Sequence, residues 1–84
     1  MKIKKTDKNC YEIENNNNLI YISKEQNPKT KVYLYFTDVF DLSSLTPLNS
    51  EPCDSEVFDE PWEALEYLEN NFNIPEETTK QIKL

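Results

Sequence analysis

The chain has no glycine among its 84 residues, and this absence limits how its backbone can turn. Glycine adopts the left-handed conformation of tight turns most readily, and asparagine is among the residues that follow it. The four asparagines at 15–18 therefore predict a hairpin turn. In a second turn at 26–30, Pro28 fixes the first corner. The same absence excludes the phosphate-binding loops of nucleotide-binding proteins, whose backbone needs residues without a Cβ.

The segments around these turns have the composition and alternation of β-strands. Residues 10–14 place Tyr11 and Ile13 on one face and polar side chains on the other, and residues 19–23 and 31–40 are rich in β-branched and aromatic residues. Residues 1–42 therefore predict an antiparallel β-meander of three to four strands, the first being a short leading strand at 2–6.

The third of the central strands is apolar on both faces. We expect Val32, Leu34 and Phe36 to face the core, which leaves Tyr33 and Tyr35 on the outer face. The tyrosine pair then either packs across strands or forms an exposed aromatic contact surface, since tyrosine is enriched at interfaces.

Residues 43–57 predict a long loop, because they contain Pro47 and Pro52 and show no periodicity. A loop of this length is uncommon in so small a domain and is typical of a functional or locally disordered segment. We expect Leu45 and Leu48 to anchor it to the rest of the chain.

A helix is predicted over residues 58–73. Asp59 or Glu60 is expected to cap it, and Pro61 suits its first turn. One broad apolar stripe is expected to pack on the sheet, formed by Trp62, Ala64, Leu65, Leu68 and Phe72. Residues 74–84 then form a tail or a short edge strand through Ile82 and Leu84. The sequence thus predicts one small α+β domain over residues 1–84, an antiparallel meander with one C-terminal amphipathic helix packed on one face.

Negative charge is concentrated in the second half of the chain. Residues 1–37 hold seven lysines and four acidic residues, whereas residues 38–84 hold two lysines and twelve acidic residues. Acidic residues at the start of the helix are favoured by the helix dipole. Glu66 and Glu69 lie beyond the first turn, and neither has a lysine three or four residues away that would offset its charge. We therefore expect these acids to serve either solubility or the binding of a basic partner.

The residue inventory argues against catalysis and against cofactors. The chain has no histidine and no arginine, so the commonest general base and transition-metal ligand is missing, as is bidentate phosphate recognition. Cys10 and Cys53 are expected to be free thiols of a cytoplasmic protein, since the start of the chain lacks a signal-peptide pattern. A net charge of −7 disfavours direct binding of nucleic acid, and no segment is long and apolar enough to enter a membrane.

The remaining class of function is recognition by surface charge. The layout of strands followed by EALEYL resembles that of small phage domains, including the DNA-binding arms of integrases, but it lacks their basic sheet face, so no functional residue is carried over. In size and charge the chain is similar in kind to phage-encoded inhibitors such as anti-CRISPR proteins and other nucleic-acid mimics, and to immunity proteins that block a nuclease cleft.

We therefore predict a non-enzymatic inhibitor that binds a protein partner with a basic surface, such as a nucleic-acid-processing enzyme. The alternative is a generic protein-interaction or structural accessory domain whose acidity serves solubility. The predicted partner contacts are Asp54, Glu56, Asp59, Glu60, Glu63, Glu66, Tyr67 and Glu69.

Overall fold

The computed structural model describes residues 1–43 and 51–84 and has an antiparallel sheet with two helices packed on one face. The strands lie side by side in chain order and are followed by the helices: β1 Lys2–Asp7, β2 Cys10–Glu14, β3 Asn18–Gln26, β4 Tyr33–Asp41, β5 Asp54–Phe58, α1 Pro61–Phe72 and α2 Glu76–Thr79. The predicted α+β class is confirmed, but the sheet has five strands rather than three to four, and a second short helix follows the first. The predicted anchors Leu45 and Leu48 lie outside the described residues.

Two segments were assigned wrongly from the sequence. Residues 54–57, expected to belong to the long loop, and Phe58, expected to begin the helix, form β5, which pairs antiparallel with β4 from Val39 opposite Asp54 to Tyr35 opposite Phe58. Acidic residues are depleted in strands, so local propensity conceals this one, and pairing with β4 outweighs it. The tail forms α2 instead of an edge strand, and Ile82 still reaches the core at 6% exposure.

Asparagine stabilises the turn between β2 and β3 through side-chain hydrogen bonds and not through the left-handed backbone that we expected. The turn between β2 and β3 is where the sequence predicted it, and there the Asn15 side-chain oxygen accepts the backbone N–H groups of Asn17 and Asn18 at 3.1 and 2.6 Å. Such side-chain acceptors stabilise a turn without left-handed backbone. Among the described residues, only Lys31 and Asn73 have positive φ angles, of 63° and 55°.

The core lies between the helix-bearing face of the sheet and the C-terminal half of the chain. Its buried apolar side chains come from the three central strands, from α1 and from the segments around α2: Tyr11, Ile13, Ile20, Ile22, Tyr35, Val39, Ala64, Leu68, Ile74 and Ile82. The C-terminal segment is held on this face by its backbone, since the Lys83 N–H donates to the Tyr11 hydroxyl at 3.1 Å.

The predicted phase of β4 is wrong. Tyr35, Thr37 and Val39 face the core, whereas Leu34 and Phe36 are half-buried on the opposite face of the sheet. Val32 precedes the strand and is 55% exposed.

Register with β3 determines this phase, because Ile20 pairs with Val39 and Ile22 pairs with Thr37. Both isoleucines are fully buried, so their partners must share the core face. The Thr37 hydroxyl is consequently buried and finds no hydrogen-bond partner among the described residues.

Within residues 1–43 and 51–84, no helix has the length and apolar character that crossing a membrane requires.

Candidate interaction surface

The acidic segment runs along one edge of the sheet and onto α1. Asp54 and Glu56 lie on the edge strand β5, and both project on the side of the sheet that carries the helices, since they pair with Val39 and Thr37 of the core face. Glu56 is exposed and Asp54 is half-buried. The chain then turns through residues 59–60 into α1, so strand, turn and helix form one continuous acidic border.

The start of α1 differs from the expectation of a side-chain cap. Glu60 is the N-cap residue, with extended backbone, and its carboxylate makes no capping hydrogen bond among the described residues. Asp59 and Glu60 are both exposed at this turn. Pro61 begins the helix as predicted, because its missing N–H costs nothing in the first turn. The charges of Asp59 and Glu60 are therefore free to face solvent near the positive end of the helix dipole.

Trp62 is the site residue that sequence reasoning missed. It was expected in the apolar stripe but is 61% exposed, whereas Leu68 is fully buried. The sequence did contain the signal, since at about 100° per residue Trp62 lies about 120° away from Leu68 around the helix. A stripe centred on Leu68 includes Ala64, Leu65 and Phe72 and leaves Trp62 outside it. This tryptophan is a large apolar side chain on the solvent side of α1.

Acidic and polar side chains surround Trp62 on that side. We define the acidic helix face as Trp62, Glu63, Glu66, Glu69 and Asn70. Trp62, Glu66 and Asn70 are exposed and line two adjoining shallow grooves, one against α2 with a volume of about 500 Å³ and one against Phe58 and Tyr67 with a volume of about 280 Å³. The face therefore has an exposed ridge with a concave surface on either side.

Tyr67 lies below this ridge and is held in place. Its hydroxyl donates a short hydrogen bond to the Asp54 carboxylate, and its ring packs against Phe58 and Phe72 with centroid distances of 5.3 and 5.9 Å. The hydrogen bond to Asp54, then burial, then the negative charges of Asp54 and Glu56 raise the pKa of Tyr67 to about 12. Tyr67 thus ties α1 to β5.

Glu69 has a partner that the sequence did not reveal. The Thr79 hydroxyl of α2 donates to the Glu69 carboxylate at 2.5 Å, so Glu69 has a tertiary partner on a different helix. The contact depends on α2 folding back on α1, which no local sequence pattern predicts. Lys80 also reaches this groove and forms an exposed ion pair with Glu76 at 3.8 Å. Exposed pairs of this kind contribute little to stability.

The eight predicted contacts therefore divide into two groups. Asp54, Tyr67 and Glu69 make hydrogen bonds within the fold. Five acids have no hydrogen-bond or ion-pair partner in the described part of the chain, namely Glu56, Asp59, Glu60, Glu63 and Glu66. All five are exposed except Glu63, which is half-buried. The acidic side chains that have no partner in the described fold thus lie on β5, in the turn at 59–60 and on the ridge beside Trp62.

Among residues 1–43 and 51–84, no three His, Cys, Asp or Glu side chains come together as a bound metal ion would require. In comparisons with known proteins, no family model matches the chain, and neither a curated protein nor a solved structure matches it.

Proposed function

We propose that the protein is a non-enzymatic inhibitor that binds the basic, nucleic-acid-binding cleft of a partner protein in the cytoplasm. The observation that carries the proposal is the exposed Trp62 among the uncompensated acids of α1 and β5. An exposed tryptophan with a ring of charged side chains has the composition of an interface hot spot, because tryptophan contributes a large area at the centre and polar groups form the rim.

The chemistry of a basic cleft fits both the acidic side chains and the exposed tryptophan of this surface. Lysine and arginine side chains that normally contact phosphates would pair with Glu63 and Glu66, and an arginine or lysine would stack on the ring of Trp62. Glu63, Glu66 and Glu69 rise about 4.5 Å per step along the helix axis, on the scale of the axial rise of roughly 3.4 Å per phosphate along one strand of DNA. The net charge of −7 would accelerate approach to such a cleft at low salt.

Tyr67 has a supporting role in this proposal. The sequence suggested it as the aromatic anchor, but its hydroxyl is committed to Asp54 and its ring to two phenylalanines. Exposure instead favours Trp62 as the anchor, with Glu66 as an exposed, uncompensated charge one helical turn further along the ridge.

The test begins with affinity capture on the immobilised protein and elution by a salt gradient. We expect a nucleic-acid-processing enzyme that elutes at moderate salt and that DNA or RNA displaces from the protein. With that enzyme in hand, Trp62→Ala is expected to weaken binding about 30-fold or more, the loss typical of a hot-spot residue. Glu66→Lys is expected to slow association by about tenfold at low salt and much less at high salt.

Glu25→Lys is the matched control. Glu25 is exposed at the end of β3 and pairs with Leu34, so it lies on the face of the sheet opposite α1, and its substitution changes the net charge by the same amount as Glu66→Lys. We expect it to change affinity by about twofold or less, because distant surface charge is screened. If Trp62→Ala and Glu66→Lys both bind like the unmodified protein, the acidic helix face is not the binding surface.

A second candidate function is a protein-interaction or structural accessory domain whose acids serve solubility. The face of the sheet opposite the helices favours it, because Leu34 and Phe36 point there. The outer tyrosine pair expected from the sequence is not available for this role, since Tyr35 is 8% exposed. Under this alternative, partner binding survives Glu66→Lys and is lost on substitution of the sheet face.

A further inference from the structure

The groove between α1 and α2 is the larger of the two concave surfaces beside Trp62, with a volume of about 500 Å³. One wall is a stripe of α1 whose residues follow one another at helical spacing, and the other wall is α2. Its volume lies within the range of about 300–1,000 Å³ that is usual for ligand sites, so it can hold a long side chain of a partner. We define the α1–α2 groove by the residues whose chemistry matters below: Trp62, Leu65, Glu66, Glu69, Glu76 and Thr79.

The apolar surface of the α1–α2 groove comes from Trp62 and Leu65. Leu65 is half-buried against the core, whereas Trp62 is 61% exposed. The ring–ring and lysine–ring contacts within residues 1–43 and 51–84 all involve other side chains, so the indole of Trp62 has no ring or lysine stacked on it there. Among the aromatic side chains, tryptophan attracts a cation to its face most strongly. Trp62 therefore offers an open surface to a flat cationic group.

The carboxylates of the α1–α2 groove are only partly offset by the chain's own positive charge. Lys80 pairs with Glu76 at 3.8 Å. Glu66 has neither an ion pair nor a hydrogen bond in the described part of the chain. Glu69 receives a neutral donor, because the Thr79 hydroxyl bonds to its Oε2 atom at 2.5 Å. That bond holds the carboxylate in place and leaves its other oxygen to accept from a partner, so two neighbouring carboxylates line the groove without a cation.

We propose that the α1–α2 groove binds an arginine side chain of the partner protein, with the guanidinium group hydrogen-bonded between Glu66 and Glu69 and stacked against Trp62. The inference rests on the proposed function, because it names the chemical group of the basic partner that the acidic helix face recognises. Residues three and four apart on a helix have Cβ atoms about 5–6 Å from each other, so Glu66 is a direct neighbour of both Trp62 and Glu69. Side chains on a helix also lean towards its N-terminus, which directs both carboxylates towards the indole.

Arginine fits this combination of groups better than lysine does. A guanidinium group is planar, so it stacks on an aromatic ring, and its N–H donors form a fixed fork that can bond to two carboxylates at once. The ammonium group of lysine is a compact, strongly hydrated charge that does not present such a fork. The arginine stem can in addition lie along the apolar surface of Leu65. The chain has no arginine of its own, so this occupant must come from another molecule.

The groove on the other side of Trp62 is a poorer match for the same group. It is smaller, with a volume of about 280 Å³, and its carboxylates are those of Glu63 and Glu66. Glu63 is half-buried, and the Tyr67 hydroxyl beside it already donates to Asp54. Glu69 lines the α1–α2 groove and not this one, whereas Glu63 lines this one and not the α1–α2 groove. The two glutamates therefore provide a matched pair of positions on one helix.

Titration with two short peptides of equal charge tests the proposal without any partner protein. Trp62 is the only tryptophan of the chain, so its fluorescence reports directly on this groove. We expect acetylated triarginine amide to change the emission of Trp62 at low salt and to bind about fivefold or more tightly than acetylated trilysine amide. Equal affinities for the two peptides overturn the proposal, because binding then follows net charge alone. Emission that stays constant up to about 10 mM triarginine also overturns it.

Glu69→Gln and Glu63→Gln assign the preference for arginine to one groove. Both variants remove one negative charge from α1, and the amide oxygen at position 69 can still accept the Thr79 hydroxyl. Glu69→Gln is expected to reduce the preference for triarginine over trilysine to about twofold or less, and Glu63→Gln to leave it at about fivefold. A preference that the two variants lower equally overturns the assignment to the α1–α2 groove.

The inference and the proposed function fail by different results. If Trp62→Ala weakens binding of a captured nucleic-acid-processing enzyme but the protein does not distinguish the two peptides, the proposed function stands and the arginine site is wrong. If the protein prefers triarginine but captures no such enzyme, the proposed function is wrong and the groove still binds the guanidinium group.

Discussion

Substitution of Leu68 by alanine measures how much the packing of α1 on the sheet contributes to the free energy of unfolding of the domain. Leu68 is fully buried between α1 and the sheet. The change removes three carbon groups worth about 0.8 kcal/mol each in transfer free energy, and the cavity left behind adds to this, so the expected loss is about 2.5–5 kcal/mol. A chain of 84 residues has a total stability of about 4–13 kcal/mol. The variant should therefore lose a large fraction of its free energy of unfolding.

Leu65→Ala is the matched control, because Leu65 lies on the same helix but is only half-buried. Both substitutions change helix propensity equally, so the difference between them reports burial alone. We expect Leu65→Ala to cost about 1–2 kcal/mol. Urea unfolding followed by circular dichroism gives both values. Equal losses for the two variants, or a loss below about 0.5 kcal/mol for Leu68→Ala, would refute the assignment of Leu68 to the core.

Two further predictions concern hydroxyl groups. Thr37→Val removes a buried hydroxyl that has no partner in the described part of the chain, so thermal unfolding should show a gain of about 1 kcal/mol, or about 4–8 °C in Tm. Thr79→Val, whose hydroxyl donates to Glu69, should instead lose stability, and a loss in both variants would contradict the first prediction. Tyr67 has a folded-state pKa of about 12 against an ordinary value of 10.0, so the folded state keeps a proton that the unfolded state releases. The contribution of protonated Tyr67 to the stability of the folded state is therefore complete below about pH 10 and is lost as pH rises towards about 12. Unfolding measured against pH should show a shallower decline in Tyr67→Phe, and an unchanged decline would exclude the Asp54 contact as its cause.

Alternation and helical periodicity were sufficient to predict the class of the fold from the sequence. The faces of β2 follow from its alternation, with Tyr11 and Ile13 buried and the intervening residues turned away. The helix was placed within three residues of its observed limits, because Pro61 marks its start and Asn73 its end. Both signals are local, and local signals are those that a single sequence records most clearly.

The orientation of β4 was not predictable by the same means. Its two faces carry comparable apolar sets, so period-two alternation is satisfied in either phase. Pairing with Ile20 and Ile22 resolves the ambiguity, and pairing is a property of the assembled sheet. β5 was missed for a related reason, since a short acidic strand is stable only against a neighbour that is already in place.

The candidate site shows the same division between local and tertiary information. The acidic border was visible in the sequence, and so was the solvent-facing position of Trp62, which follows from its angle to Leu68 around the helix. The partners of Tyr67 and Glu69 were not visible, because Asp54 and Thr79 reach them only after β5 and α2 have folded against α1.

The lack of glycine has a consequence for the unfolded chain. A residue with a Cβ explores far less of backbone space than glycine, so a denatured chain without glycine has fewer conformations available to it. The folded state bears a small cost in return, since the left-handed residues Lys31 and Asn73 each carry strain of roughly 1 kcal/mol. The saving in conformational entropy is spread over the whole chain, whereas the strain falls on two described positions. A small domain with a thin core thus gains part of its stability from the narrowness of its denatured ensemble.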